Sequence, residues 1–241
     1  MNMIDICSGD NPVRFEIKNQ IGYLVLNAPP ENRMTALFFD TLHKIVKEIE
    51  CIDSIKGLII CSEGRHFSSG ADLNELAEMV SVNKSNNLSS MSQFSVFDEN
   101  VKTFVSLTKL RVPVIAAIHG VCIGSALELA LCADVRICEY RTTLGFPEVQ
   151  YNLMPGCGGT VRLPFLTGVG TALVLMLTGD LIGADDAFAY GVVDIVAERK
   201  KALSTGVELL EIASEKNIGK ENFRKSILEL FYAGKASIEC A

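Results

Sequence analysis

Residues 112–127 read VPVIAAIHGVCIGSAL and form the longest nearly apolar stretch of the chain. Pro113, His119 and Gly120 interrupt the stretch, which ends at Glu128, so it is too short and too broken for a membrane helix. A buried strand over Val112–Ile118, a turn, and a short buried helix over Ser125–Cys132 explain it better. An apolar strand followed directly by an apolar helix indicates the core of an α/β protein.

Segments on both sides of this stretch extend the pattern. Arg14–Leu26 predicts a hairpin around the turn NQIG, and Gly57–Cys61 and Val135–Cys138 predict further buried strands. Helices are predicted at Phe38–Ile49, Leu73–Val80, Val101–Leu107 and Gly156–Leu166, with three more out to Phe231, and a Ser- and Asn-rich loop at Asn83–Ser92. Because strands and helices alternate with short links, the predicted fold class is α/β with a largely parallel sheet.

Length and composition exclude several classes of protein. The chain has 241 residues, of which 49% are hydrophobic and 21% charged, with a net charge of −7. These values are ordinary for a globular protein, and one domain of this length can bury a large core. A net acidic chain is a poor nucleic-acid binder, so we expect no nucleic-acid partner, although a small anionic ligand stays possible.

The cysteine and histidine pattern argues against a metal centre. No pair of the eight cysteines forms C-x-x-C, and only three histidines are present, which excludes the usual zinc spacings. We interpret the cysteines as reduced core thiols of a cytoplasmic protein. The N-terminus lacks the apolar region of a signal peptide. The motifs G-x-S-x-G and G-x-G-x-x-G are also missing, which disfavours a serine hydrolase and a nicotinamide cofactor.

Glu128 is the first candidate catalytic residue, because its helix ALELALC is otherwise apolar. A lone buried carboxylate is costly unless it is paired, hydrogen-bonded or protonated. Burial therefore raises its pKa, which suits a general acid or base. The alternative is a structural glutamate that reaches a helix end or a buried arginine.

Glu148 is a second and weaker candidate, because it follows Pro147 in a turn where a solvated glutamate is the alternative. His66 and His119 each lie beside a turn, where a structural hydrogen bond is the alternative to catalysis.

Glycines precede several predicted helices, notably Gly70, Gly124 and those of Pro155–Thr160 (PGCGGT). Free N–H groups at helix starts favour negative charge, and two of them directed at one carbonyl oxygen would form an oxyanion hole. Ordinary turn glycines are the alternative. The third segment lacks the Gly-Lys-Ser/Thr ending of a phosphate-binding loop.

Together these segments resemble the crotonase family, also called the enoyl-CoA hydratase/isomerase superfamily. The likeness covers roughly residues 12–195 and extends more loosely to about residue 235. It is carried by five motifs in the family's order and spacing: HFSSGADL (66–73), PVIAAIHG (113–120), GSALELA (124–130), FPE (146–148) and PGCGGT (155–160).

The resemblance implies a stack of β-β-α units forming a spiral core, assembled as a homotrimer or hexamer. It implies an acyl-CoA or acyl-carrier thioester as substrate, with no separate cofactor, no metal and no membrane partner. By position, the oxyanion-hole N–H groups match Ala71 and Ser125. The two hydratase glutamates match Glu128, as the base on water, and Glu148, as the acid. The motif positions implied to contact substrate are Gly70, Asp72, Leu73, Gly124, Pro147 and Gly156.

Two departures from the family pattern concern the acyl pocket and the C-terminus. Ser125 stands where hydratases most often have glycine, and its side chain is expected to narrow or rotate the acyl pocket. Family members commonly continue further, so we expect a core with the acyl-CoA site over 1–195 and a shortened helical trimerisation region over 196–241.

Hydration of a 2-enoyl-CoA, or the reverse dehydration, is the leading hypothesis because both glutamates are present. A Δ3-Δ2-enoyl-CoA isomerase is the alternative, since many such enzymes keep only the carboxylate matching Glu148. A non-catalytic acyl-thioester binding protein is a third possibility. The acyl chain, the carrier and the pathway are left open by the sequence.

Overall fold

The computed structural model describes residues 5–6, 11–75 and 90–239, and side chains within 11–75 and 98–234. The strands are β1 (Asp5–Ile6), β2 (Val13–Lys18), β3 (Ile21–Leu26), β4 (Gly57–Ser62), β5 (Val114–Ile118), β6 (Val121–Ile123), β7 (Val135–Glu139), β8 (Thr143–Gly145), β9 (Leu181–Gly183) and β10 (Ile195–Ala197). The helices are α1 (Ala36–Glu50), α2 (Ser90–Lys109), α3 (Ser125–Ala130), α4 (Gly159–Thr167), α5 (Val169–Thr178), α6 (Ala184–Ala189), α7 (Ala202–Glu215) and α8 (Lys220–Glu239), and Pro147–Tyr151 forms a 3-10 helix.

Strands β2 and β3 form the predicted hairpin. Asn19 and Gln20 both have positive φ angles, 51° and 64°, which gives the tight turn that joins them. The antiparallel register runs from Val13 opposite Leu26 to Lys18 opposite Ile21. The hairpin predicted from the sequence is therefore confirmed.

Within the part of the chain that the structure describes, a sheet of seven strands in the order β1-β2-β3-β4-β5-β7-β10 forms the centre of the fold. All of its pairings from β3 onward are parallel. Strands β6, β8 and β9 form a second sheet. The chain thus places β5 in one sheet and β6 in the other, then repeats this with β7 and β8. The predicted α/β class with a largely parallel sheet is confirmed.

The central sheet is covered on both faces, because apolar residues occupy successive positions of its inner strands. Leu58 and Ile60 of β4 belong to the core that includes the buried side of α1. Ile59, between them, belongs to the core shared with α7 and α8. Alternate side chains of a strand point to opposite faces, so a continuous apolar run fits a sheet buried on both sides.

Two predictions about helices are corrected. Residues Ser90–Ser92 were expected in a loop, but they begin helix α2, which continues through the predicted segment Val101–Leu107. The remainder of that loop, 83–89, lies outside the described residues. Helical structure at Leu73–Glu75 agrees with the predicted start of a helix there, and residues 76–80 lie outside the described part.

The number of helices after α4 is also corrected, because four rather than three follow it within the described residues. The additional helix is the short α6, whose sequence ADDAFA lies between the more apolar helices α5 and α7. Its two acidic residues, Asp185 and Asp186, lie in the first turn. Their negative charges stabilise the helix there by interacting with the positive end of its dipole.

A buried charged network attaches the C-terminal helix to the sheet. The Asp194 carboxylate accepts hydrogen bonds from Nη2 of Arg136 at 2.6 Å and from Nη2 of Arg224 at 2.7 Å. Arg136 is fully buried. The hydroxyl of Tyr232 donates to the Asp194 carbonyl at 2.6 Å. The predicted division into 1–195 and 196–241 is not tested by these contacts and stays a prediction.

Among the described residues, no helix is both long and apolar enough to cross a membrane. Five of the six cysteines whose side chains are described are buried free thiols, and Cys51 is exposed. Buried thiols of this kind act as small apolar groups in the core.

Candidate active site

A cavity of about 560 Å³ opens between α1, the start of α3, the 3-10 helix and the turn before α4. Every site residue predicted from the sequence lines this cavity. They are Gly70, Ala71, Asp72, Leu73, Gly124, Ser125, Glu128, Pro147, Glu148 and Gly156. Residues from four separate motifs therefore converge on one space.

Glu128 lies in the cavity wall with only 1% of its surface exposed. Its Oε1 accepts hydrogen bonds from the backbone N–H groups of Cys157 and Gly159, both at 2.7 Å. Burial raises the pKa of Glu128, while these hydrogen bonds and the charge of Arg162 oppose the rise. The carboxylate thus reaches the start of a helix, as the structural alternative supposed, and also faces the cavity.

Glu148 enters the cavity from the 3-10 helix and is half-buried. Burial raises its pKa to about 7, and the nearby charge of Glu128 adds to the rise. Its Oε2 is covered and has no hydrogen-bond partner among the described residues. Glu148 is therefore not a solvated loop residue, and its carboxyl is poised to exchange a proton near neutral pH.

Ala71 and Ser125 both line this cavity, and the hydrogen-bonding state of their backbone N–H groups bears on its chemistry. Ala71 pairs with Met34 as a parallel bridge, but the N–H groups used in that bridge belong to Met34 and Asp72. Within the described residues, the N–H groups of Ala71 and Ser125 donate to no protein acceptor. Neither N–H group is therefore occupied by the protein in that part of the chain.

Two glycines allow these segments to approach each other. Gly70 has φ +84°, and a Cβ there would lie 2.7 Å from the Ile123 carbonyl oxygen and 3.6 Å from the Ser125 nitrogen. Gly124 has φ +59°, and a Cβ there would lie 3.2 Å from Glu148 Oε1. Glycine is required at both positions for its backbone freedom and for its missing side chain.

The rest of the lining is mostly apolar with an acidic part. The apolar contributors are Met34, Ala36, Phe39, Leu73, Ile123, Tyr151, Leu153 and Met154. Besides the two glutamates discussed above, the acidic contributors are Asp40, Asp72, Glu75 and Glu99. Among the described lining residues there is no lysine or arginine. An apolar chain fits this lining, whereas a phosphate group would be held outside it.

The two candidate histidines do not reach the cavity. His119 Nε2 lies 3.3 Å from the Gly64 carbonyl oxygen, and His66 packs beside it near the surface. Neither lines the site. His119 makes the hydrogen bond of the turn interpretation, whereas the covered Nδ1 of His66 has no hydrogen-bond partner among the described residues. No group of His, Cys, Asp and Glu within the described residues could hold a metal ion.

The hydrogen-bond donors to Glu128 were missed in the sequence. Cys157 and Gly159 lie in the segment PGCGGT. The Nη1 of Arg162 donates a hydrogen bond to the Cys157 carbonyl oxygen at 2.7 Å and so stabilises this turn. The glycine-rich turn was visible as a helix start. Its partner Glu128 was also visible, but nothing local connects the two.

Comparison with known proteins establishes the family. Residues 16–232 match the family described as "Enoyl-CoA hydratase/isomerase". The chain therefore belongs to the enoyl-CoA hydratase/isomerase family, as the sequence motifs indicated.

Similar proteins include the "Fatty acid oxidation complex subunit alpha" of Shewanella frigidimarina, 39% identical over 194 residues that cover 78% of this chain and 26% of that protein. The protein of the same name from Vibrio parahaemolyticus is 35% identical over 216 residues, covering 88% of this chain and 30% of that protein. The chain spans less than a third of the length of these relatives.

Solved structures share the fold. Pseudomonas aeruginosa DspI has a TM-score of 0.78 with 26% identity, covering 91% of this chain and 86% of that chain. Enoyl-CoA hydratase from Bacillus anthracis has a TM-score of 0.73 with 27% identity, covering 94% of this chain and 81% of that chain.

Proposed function

We propose that this protein hydrates a 2-enoyl-CoA thioester to the 3-hydroxyacyl-CoA, or catalyses the reverse dehydration. The observation that carries the proposal is the convergence of Glu128 and Glu148 on one cavity beside two free backbone N–H groups. Family membership and the fatty acid oxidation relatives support the reaction class.

In the proposed reaction, Glu128 takes a proton from water and the resulting hydroxide oxygen bonds to C3 of the enoyl group. The electron pair of the C2–C3 double bond moves toward the thioester, whose oxygen becomes an enolate. Glu148 then gives its proton to C2, and the carbonyl is restored. A second proton exchange between the glutamates and solvent returns both to their starting states.

The two N–H groups of Ala71 and Ser125 would bind the thioester oxygen throughout this sequence. They stabilise the enolate more than the neutral carbonyl, because the developing negative charge strengthens each hydrogen bond. This difference lowers the barrier rather than merely tightening substrate binding.

The environments of the two glutamates support their separate roles. Two backbone N–H donors stabilise the charged form of Glu128, as a base requires. Glu148 has a pKa raised to about 7, so at neutral pH about half of the molecules carry the proton that an acid requires. The carboxyls interact, so their titration belongs to the pair.

The apolar lining supports an acyl chain inside the cavity, with the carrier phosphates outside it. Whether the carrier is CoA or an acyl-carrier protein, and which acyl chain is preferred, are to be measured. We also propose a cytoplasmic location, on the basis of the reduced thiols.

An assembly of three or six copies is proposed as well. Helices α4 and α5 carry a set of exposed apolar side chains, which we call the α4–α5 apolar face: Val161, Phe165, Val169, Leu173, Val174 and Leu177. Phe165 is 90% exposed. An exposed apolar area of this kind is typical of an interface between subunits.

The test is an ultraviolet assay of purified protein with crotonyl-CoA, following loss of the conjugated enoyl thioester absorbance. Glu128→Gln and Glu148→Gln are each expected to lower the rate by about a hundredfold or more. The control Glu211→Gln changes an exposed carboxylate outside the cavity and is expected to keep the wild-type rate.

Other outcomes point to the other hypotheses. Isomerisation of a 3-enoyl-CoA that survives Glu128→Gln but not Glu148→Gln would identify an isomerase. Tight thioester binding with no turnover of either substrate would identify a binding protein. Either result would overturn the hydratase proposal.

A further inference from the structure

We propose that the side-chain hydroxyl of Ser125 is a third donor to the thioester oxygen, beside the backbone N–H groups of Ala71 and Ser125. The hydroxyl acts when that oxygen carries the enolate charge. This inference rests on the proposed function, because the enolate is the intermediate of that chemistry. It assigns a catalytic role to a side chain where the family commonly has none.

The first observation is an unsatisfied buried group. Ser125 is 8% exposed and lines the cavity. Its Oγ is covered and has no hydrogen-bond partner among the described residues. Leaving a buried hydroxyl unpaired is unfavourable, so such a group in a cavity wall calls for an explanation.

A neighbouring serine shows what a purely structural hydroxyl does in this region. Ser68 is fully buried, and its Oγ donates to the Asn32 carbonyl at 2.6 Å and accepts from the Gly70 N–H at 3.0 Å. The Ser68 hydroxyl is satisfied by the protein alone. The Ser125 hydroxyl is not, and because its Oγ is covered in the observed rotamer, it must rotate about χ1 to meet a ligand oxygen in the cavity.

The covalent geometry of serine allows one ligand oxygen to contact both donors. In either gauche rotamer (χ1 near +60° or −60°) the N and Oγ atoms of a serine are about 3 Å apart. Rotation about χ1 therefore brings the hydroxyl alongside the residue's own N–H group. Ala71 directly follows Gly70, where a Cβ would lie 3.6 Å from the Ser125 nitrogen, so the two segments that carry these N–H groups are adjacent.

The charge of the ligand oxygen explains why a third donor acts at the enolate stage and not in the initial complex with the neutral thioester. A thioester carbonyl has two lone pairs, which the two N–H groups occupy. An enolate oxygen carries more negative charge and accepts a third hydrogen bond, and bonds to charged acceptors are stronger. The hydroxyl keeps its proton throughout, so the proton balance of the reaction is unchanged.

Glu148 is a competing partner, because its Oε2 is also covered and unpaired. A hydroxyl bonded to Glu148 would position that carboxyl and tune its pKa. Removing the Ser125 hydroxyl would then leave enolate affinity unchanged and would shift the pH dependence of the hydration rate instead. The two roles are therefore separable by experiment.

The experiment compares Ser125→Ala with Thr142→Val. Thr142 is 1% exposed, and its Oγ1 is likewise covered and unpaired, but it does not line the cavity. The control thus removes an unsatisfied hydroxyl without touching the site. Turnover of crotonyl-CoA is measured, together with the Kd of butyryl-CoA and of acetoacetyl-CoA, which ionises to an enolate.

We expect Ser125→Ala to lower kcat by about tenfold to a hundredfold and to weaken enolate binding by a similar factor. KM and butyryl-CoA affinity should change less than about twofold, since the neutral oxygen keeps both N–H donors. Ser125→Gly should behave as Ser125→Ala does. Thr142→Val should match the wild type in all of these measurements.

Three results would overturn the inference: unchanged kcat and enolate affinity in Ser125→Ala, a shifted pH profile with unchanged enolate affinity, or wild-type kcat in Ser125→Gly. Failure of the hydratase proposal looks different. In that case the wild type does not hydrate crotonyl-CoA, while Ser125→Ala still weakens acetoacetyl-CoA binding selectively. A wild type that binds neither thioester would refute both proposals.

Discussion

Glu128 Oε1 accepts a hydrogen bond from the backbone N–H of Gly159 at 2.7 Å, across 31 positions of the chain. This contact joins the buried helix α3 to the first residue of helix α4. It gives a carboxylate in an apolar helix the donors that its charged form needs. The proposed base and its support therefore come from different motifs.

Gly159→Ala is expected to disturb this contact. A Cβ at Gly159 would lie 3.0 Å from both Cγ and Oε1 of Glu128. We expect activity to fall at least about tenfold and the free energy of unfolding to fall by about 1–3 kcal/mol. Crotonyl-CoA turnover and urea unfolding provide the measurements.

The control for this substitution is Gly234→Ala in helix α8, where a Cβ would meet nothing within 4 Å. Alanine favours an exposed helix interior over glycine by about 0.5–1 kcal/mol, so this variant should be slightly more stable and fully active. Full activity of Gly159→Ala would show that the proposed base tolerates displacement of its carboxylate.

Stability should depend on pH through Glu148. Its pKa is raised from 4.5 to about 7 in the folded protein, so between these pH values the folded state retains a proton that the unfolded chain has released. The resulting stability is present below pH 4.5 and is lost as the pH rises through about 7. Burial of Glu128 acts with the same sign.

Glu148→Gln removes this titration, so its stability should fall less between pH 5 and about pH 8 than that of the wild type. Urea unfolding at several pH values, at equal ionic strength, measures the difference. If the unfolding free energies of the two proteins changed with pH in parallel, the raised pKa of Glu148 would be contradicted.

The rate of hydration should also depend on the Glu148 proton. Because Glu148 is the proposed acid, kcat/KM should decrease as the pH rises above about 7. Protonation of Glu128 should produce a second decrease on the acidic side. A pH profile of initial rates tests both limbs, and a rate that increases steadily through pH 9 would reject the assigned roles.

Asp194→Asn should destabilise the fold strongly. Asp194 binds both Arg136 and Arg224, and Arg136 is only 1% exposed. Removing one partner of a buried ion pair leaves an uncompensated charge and costs about 3–5 kcal/mol.

The comparison for Asp194→Asn is Asp53→Asn, which removes a partner of Arg111 in a pair whose Asp53 side chain is 88% exposed. An exposed pair contributes less than about 1 kcal/mol, so this variant should unfold nearly as the wild type does. Equal effects of the two substitutions in chemical unfolding would contradict the importance of the buried network.

Phe165→Glu should break the proposed assembly. It places a charge at the most exposed side chain of the α4–α5 apolar face, where an interface would desolvate it at high cost. Light scattering should show a smaller particle than the wild type. Tyr140→Glu, at a residue 57% exposed outside that face, serves as the control and should leave the mass unchanged.

The local pattern was sufficient for most elements of the fold. The apolar run Gly57–Cys61 predicted a strand covered on both faces. Apolar residues at helical spacing predicted helix α1. Thr35 caps that helix in the structure, where its side chain accepts a hydrogen bond from the Phe38 N–H. Errors occurred where that pattern is weak. The start of α2 at Ser90 and the short α6 lack the strong periodicity that identifies a helix.

The candidate site was predicted in part. Burial of Glu128 followed from its apolar neighbours, and family motifs named nine of the other lining residues. They named none of those that α1 contributes, such as Phe39 and Asp40. The donors from Cys157 and Gly159 did not follow, because a glycine-rich turn contains no information about which distant carboxylate it meets. Glu148 was ambiguous for the same reason.

Periodicity and motif spacing are properties of neighbouring residues, and they were enough to predict β2 to β5, β7, the buried helix of Glu128 and the family. They did not predict β1, β6, β8, β9 or β10. The desolvation of Glu148, the contact of Glu128 with the start of α4 and the unpaired Ser125 hydroxyl depend on the tertiary structure. Desolvation and hydrogen bonding depend on atoms that are close in space, and the folded path of the chain selects those atoms.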